Sequence, residues 1–106
     1  MKILLVCAAG MSTSLLVEKM KKAVKPEYGE VIINAVPIDQ FEEVVKDYDV
    51  VLLGPQIRYK QKDFEKITNE LGIPMEVINI ADYGMVRGDK VLELALKLVK
   101  DKKKEN

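Results

Sequence analysis

The chain has 106 residues, with 17 basic and 17 acidic side chains, a single cysteine and no histidine. That length suits one domain, expected to span 1–106, which can bury a core without disulfide or metal staples. Balanced charge leaves no footprint for nucleic acid, the missing histidine argues against a zinc or iron–sulfur site, and a lone thiol fits a reducing, cytoplasmic setting.

The first apolar run, residues 3–6, reads Ile-Leu-Leu-Val and predicts a strand covered on both faces. Cys7 follows it directly. The small, hydroxyl-rich stretch Ala8, Ala9, Gly10, Met11, Ser12, Thr13 and Ser14 then leads into a helix over about 13–25 that buries Leu16, Met20, Ala23 and Val24. Pro26 and Gly29 end that helix. A second strand is expected over 31–36, and Asp39 three residues before Glu42 has the pattern of a capping box. The helix it would open buries Phe41, Val44 and Val45.

The third strand, 50–53, runs into a loop carrying Gly54, Pro55, Gln56, Ile57, Arg58 and Tyr59. A helix with Phe64, Ile67 and Leu71 on one face stops at Gly72, before Pro74. The fourth strand is expected over 75–80, with a strand-end loop at 81–84. A last helix over about 89–102 turns Val91, Leu94, Ala95, Leu98 and Val99 inward, and the lysines at 100 and 102–104 form a solvated, frayed end. No apolar stretch approaches the roughly 20 residues of a membrane helix, so no insertion into a membrane is expected.

Strands alternating with helices imply an open three-layer α/β sheet, whose ligands bind beyond the C-terminal strand ends. Cys7 lies there. A thiol between a strand end and a helix N-terminus faces converging backbone N–H groups and the positive end of the helix dipole, a setting that favours the thiolate. Gly10 allows unusual backbone geometry, and Ser12, Thr13 and Ser14 offer hydroxyls to an anion. The other reading is a buried structural cysteine with Ser12 or Thr13 capping the helix. No Gly-Lys-Ser/Thr follows Gly10 and no G-x-G-x-x-G is present, so neither a nucleotide nor a dinucleotide cofactor is expected. Without histidine, no Cys–His couple can activate the thiol.

Residues 7–17 together with Val51-Leu52-Leu53-Gly54-Pro55-Gln56-Ile57 resemble the lactose/cellobiose-type enzyme IIB of the bacterial phosphoenolpyruvate-dependent sugar phosphotransferase system. Tyr83-Gly84 before the last helix is similar as well. The resemblance implies four parallel strands in the order 2-1-3-4, with helices on both faces, as in low-molecular-weight tyrosine phosphatases. It implies that Cys7 takes a phosphoryl group from a phosphohistidine of enzyme IIA. The phosphocysteine would pass that group to a sugar of the cellobiose or chitobiose kind, held by the membrane enzyme IIC. Residues 8–14 would be the phosphate-binding loop, flanked by Gln56 and Tyr83.

Outside the loop, Gln56 reads either as a phosphate ligand or as a solvated amide. Arg58 reads as a phosphate partner or an exposed cation. Tyr59 and Tyr83 read as rim residues or plain half-buried aromatics. Met11 and Ile57 are the natural apolar contacts for a partner protein.

Two other functions fit the fold. A low-molecular-weight tyrosine phosphatase carries C-x5-R, but Thr13 stands where that arginine would be, and Asp82 is displaced from the expected acid. A flavodoxin-like binding module would need no reactive thiol.

Overall fold

The structure, a computed structural model, describes residues 1–8 and 13–104. Four parallel strands form one sheet in the order β2-β1-β3-β4, as expected. They are β1 (Lys2–Cys7), β2 (Ile32–Pro37), β3 (Val50–Leu53) and β4 (Met75–Val77). The helices are α1 (Ser14–Ala23), α2 (Phe41–Val44), α3 (Gln61–Leu71), α4 (Ile80–Gly84) and α5 (Gly88–Lys104).

Burial follows position in the sheet. Ile3 to Cys7 in β1 and all of β3 are buried, while the edge strands β2 and β4 are covered only in part. A central strand flanked by strands and covered by helices has no wet face, and its sequence is apolar throughout. Alternation then sorts side chains between two cores. Ile3, Leu5, Val50 and Leu52 pack with Leu16 and Met20 of α1 and with Val91, Leu92 and Ala95 of α5. Leu4, Val6, Val51 and Leu53 pack with Phe41, Val45 and Phe64 on the other face. There the Phe41 and Phe64 rings stack with centroids 4.0 Å apart, joining α2 to α3.

Gly88 fixes how α1 and α5 meet. A Cβ there would lie 2.5 Å from the Lys19 carbonyl carbon and 2.6 Å from the Met20 nitrogen, so the two backbones touch. Gly72 ends α3 in the left-handed region at φ 71°. Its N–H reaches the Asn69 carbonyl, and the Ile73 N–H reaches that of Thr68, a Schellman closure.

Several sequence expectations need correction. The capping box at Asp39 does not form: Asp39 lies in a 3-10 turn (Ile38–Gln40), and Gln40 precedes α2 with no side-chain cap. Leu71 is not on the inner face but 47% exposed. The fourth strand ends at Val77, although the Ile78 N–H still bonds the Leu53 carbonyl at 2.8 Å. Residues 81–84 are helical, and α5 stays helical through Lys104 instead of fraying. No helix among the described residues is long and apolar enough to cross a membrane.

Candidate active site

Cys7 is the last residue of β1, paired with Pro37 of β2. Being odd-numbered like Ile3 and Leu5, it points to the α1/α5 face. On its other side β1 pairs with β3 up to Val6 opposite Leu53, and the Gly54 N–H donates to the Val6 carbonyl at 2.9 Å. The chain leaves β1 for β2 on one side and β2 for β3 on the other. The sulfur therefore sits at the point where strand order reverses, the usual ligand crevice of an open α/β sheet.

The thiol is 1% exposed, and its Sγ lies 3.4 Å from the Thr13 Oγ1, itself 1% exposed. Either atom can donate. Thr13 holds the cap position of α1 but makes no side-chain cap bond; its hydroxyl meets the sulfur instead. The N-terminus of a ten-residue helix thus opens beside Cys7.

Of the remaining loop residues expected from sequence, Ala8 and Ser14 are exposed at the two ends. Ala9, Gly10, Met11 and Ser12 lie outside the described residues.

The other flanking residues divide. A Cβ built on Gly54 would lie 2.9 Å from Gln56 Oε1 and 3.6 Å from Tyr83 Cε2, so the Gln56 amide and the Tyr83 ring close over the glycine next to Cys7. Tyr83 is half-buried and packs against the α1/α5 core. Tyr59 is 70% exposed, not half-buried, and Arg58 is exposed. Ile57 cannot be an apolar partner contact: it is 0% exposed and belongs to the α2/α3 core. The turn Pro55–Lys60 kinks at Ile57 (φ −114°, ψ 22°), and a hydrophobic side chain in such a turn is most stable packed inward.

Sequence reasoning missed α4 and its fastenings. Asn79 Oδ1 accepts from the N–H groups of Ala81 at 2.8 Å and Asp82 at 3.2 Å, an N-cap signalled by an asparagine two residues before Ala81. Asp82 Oδ1 then pairs with Arg87 Nη1 at 3.2 Å.

Residues 2–94 match the family described as "PTS system, Lactose/Cellobiose specific IIB subunit". The chain is 43% identical to the oligo-beta-mannoside-specific EIIB component of Bacillus subtilis (strain 168), over 92% of this chain and 95% of that one. It is also 43% identical to the cellobiose-specific EIIB component of Lactococcus lactis subsp. lactis (strain IL1403), over 92% of this chain and 94% of that one. Among solved structures it is similar to the cellobiose-specific phosphotransferase IIB component from Borrelia burgdorferi. The identity there is 48%, the TM-score 0.80, and 96% of this chain and 94% of that one are covered. Sequence, strand order and a buried thiol at the reversal point agree: this chain belongs to the lactose/cellobiose-specific IIB subunits of the phosphotransferase system, cysteine-based phosphocarriers whose membership implies enzymes IIA and IIC as partners.

Proposed function

We propose that Cys7 is the residue that carries the phosphoryl group, within a chain that works as one IIB domain over 1–106. The observation that supports this most is the buried sulfur beside the Thr13 hydroxyl at the start of α1. In the first step the sulfur, its proton released toward the departing imidazole, attacks phosphorus in line. The P–N bond to a phosphohistidine of enzyme IIA breaks, and its electron pair returns to the imidazole nitrogen. In the second step a sugar hydroxyl oxygen attacks phosphorus and its proton passes to a general base. The S–P bond breaks and the sulfur recovers its pair. Positioning and N–H donors supply most of the rate in such transfers.

The donors are the loop residues Ala8, Ala9, Gly10, Met11, Ser12, Thr13 and Ser14, with Gln56 and Tyr83 at the flank. Thr13 stands where a tyrosine phosphatase of this fold carries its arginine, and its short hydroxyl cannot reproduce a guanidinium. Weak help to attacking water suits a carrier, since hydrolysis would discharge it.

The sugar is a β-disaccharide of the cellobiose or chitobiose kind, read from the likeness to cellobiose-specific components. The equal identity to an oligo-beta-mannoside component keeps the class broad.

Intact-mass measurement after incubation with phosphoenolpyruvate, the general phosphotransferase proteins and a cognate enzyme IIA tests the carrier residue. One added phosphoryl group is expected in the native chain and none in Cys7→Ser. Uptake by that variant would refute the assignment. Vesicles bearing candidate IIC proteins, scored for phosphorylation of cellobiose, chitobiose or a β-mannoside, test the sugar.

A further inference from the structure

The third arm of the site, α4, is a five-residue helix joined to α5 by a short turn. Both ends of that turn are fixed. On one side Tyr83 lies against Gly54, with Cε2 3.6 Å from the position of a Gly54 Cβ. On the other, Gly88 is pressed on the Lys19–Met20 backbone with no room for a side chain. Between them Val86 has φ 53°, a left-handed conformation rare for a β-branched residue, which persists only when its surroundings impose it.

Arg87 closes the chain around it. Its N–H donates to the Asp82 carbonyl at 2.8 Å, its Nη1 pairs with Asp82 Oδ1 at 3.2 Å, and its Nη2 reaches Met85 Sδ at 2.9 Å. Backbone and side chain thus close the same loop twice, around Val86 and directly beside Tyr83.

We propose that the Asp82–Arg87 pair is a positioning pair for phosphoryl transfer: it locks the α4–α5 turn so that the Tyr83 ring stays seated over Gly54 at the acceptor end of β1. Its effect on rate rests on Cys7 as the acceptor. The pair itself is partly exposed, with the Arg87 side chain at 44% and that of Asp82 at 28%, so it contributes little to overall stability. Its weight falls on geometry.

The test uses the full chain as Asp82→Asn, Arg87→Gln, the milder Arg87→Lys, and the exchanged pair Asp82→Arg/Arg87→Asp. Phosphoryl uptake from phosphorylated enzyme IIA is timed, and the nuclear Overhauser effect between the Tyr83 ring and the Gly54 Hα is recorded. Asp82→Asn and Arg87→Gln are expected to slow uptake about tenfold at saturating donor and to lose the ring contact. The half-saturating donor concentration stays within about twofold, and the melting temperature barely moves. Arg87→Lys is intermediate, and the exchanged pair restores both rate and contact. Native rates in Asp82→Asn and Arg87→Gln, a ring contact that survives them, or an exchanged pair that rescues neither readout would overturn the proposal. The ring contact is read without any phosphoryl group. If Cys7→Ser proved competent, the acceptor assignment would fall and the positioning of Tyr83 would still be decided.

Discussion

Cys7 has a hydroxyl as a polar neighbour, Thr13 Oγ1 at 3.4 Å, with both residues buried. Thr13→Val keeps the shape and removes that hydroxyl. Because Thr13 does not cap α1 through its side chain, the helix should hold while phosphoryl uptake slows about a hundredfold, the usual loss for one donor in a transfer site. Thr13→Ser, which keeps the hydroxyl, should stay close to native. Rapid-quench timing from phosphorylated enzyme IIA measures both, and a native rate in Thr13→Val would remove the hydroxyl from the mechanism. Gly54 offers a second probe. A methyl there meets the flexible tip of Gln56 at 2.9 Å, so Gly54→Ala should cost less than about 1 kcal/mol while displacing the amide. If that amide serves the site, Gly54→Ala and Gln56→Ala slow uptake by the same factor and the double variant by no more. Additive losses would show that the glycine acts otherwise.

Between elements, the tightest fit is α1 on α5 at Gly88. Gly88→Ala must push backbone against backbone, at 2.5 Å and 2.6 Å, and no side-chain tip can yield. The expected loss is about 3 kcal/mol, a fall in melting temperature on the order of 10–15 °C by calorimetry; an unchanged transition would mean that the helices can part freely. This contact was invisible in the sequence, where Gly88 is simply the residue before a helix. What was legible had local causes. The apolar run at 50–53 became β3 with the expected bounds, Gly72 closed α3 in the left-handed region, and Cys7 sat at the strand end. What was not legible depended on distant partners. The Asp39 capping pattern gave way to a 3-10 turn, with Phe41 stacked on Phe64 across the face. Ile57, set in a loop by its neighbours, is drawn into the α2/α3 core. The short helix α4 carries too few residues for a periodic signal, and only Asn79 marks its start. The Asp82–Arg87 pair spans a turn that no periodicity announces.

For the molecule as a whole, stability should grade outward from the two central strands. Amide exchange followed by mass spectrometry is expected to be slowest in β1 and β3, which are paired on both sides and buried on both faces, and faster in β2 and β4 at the sheet edges. Uniform protection across all strands would contradict this layering. The alternation of β1 carries a further consequence. Ile3 and Leu5 face one core, Leu4 and Val6 the other, and Cys7 shares the face of Ile3. The strand is therefore a ruler with a parity. Deleting one residue between Lys2 and Val6, with the pairing at the start of β1 kept, would invert every side chain after the gap and aim the thiol at the α2/α3 layer, away from Thr13. Deleting two would restore the face but withdraw the sulfur by about 6–7 Å, two strand steps, from the start of α1. The reach of the acceptor is thus set by counting residues in β1.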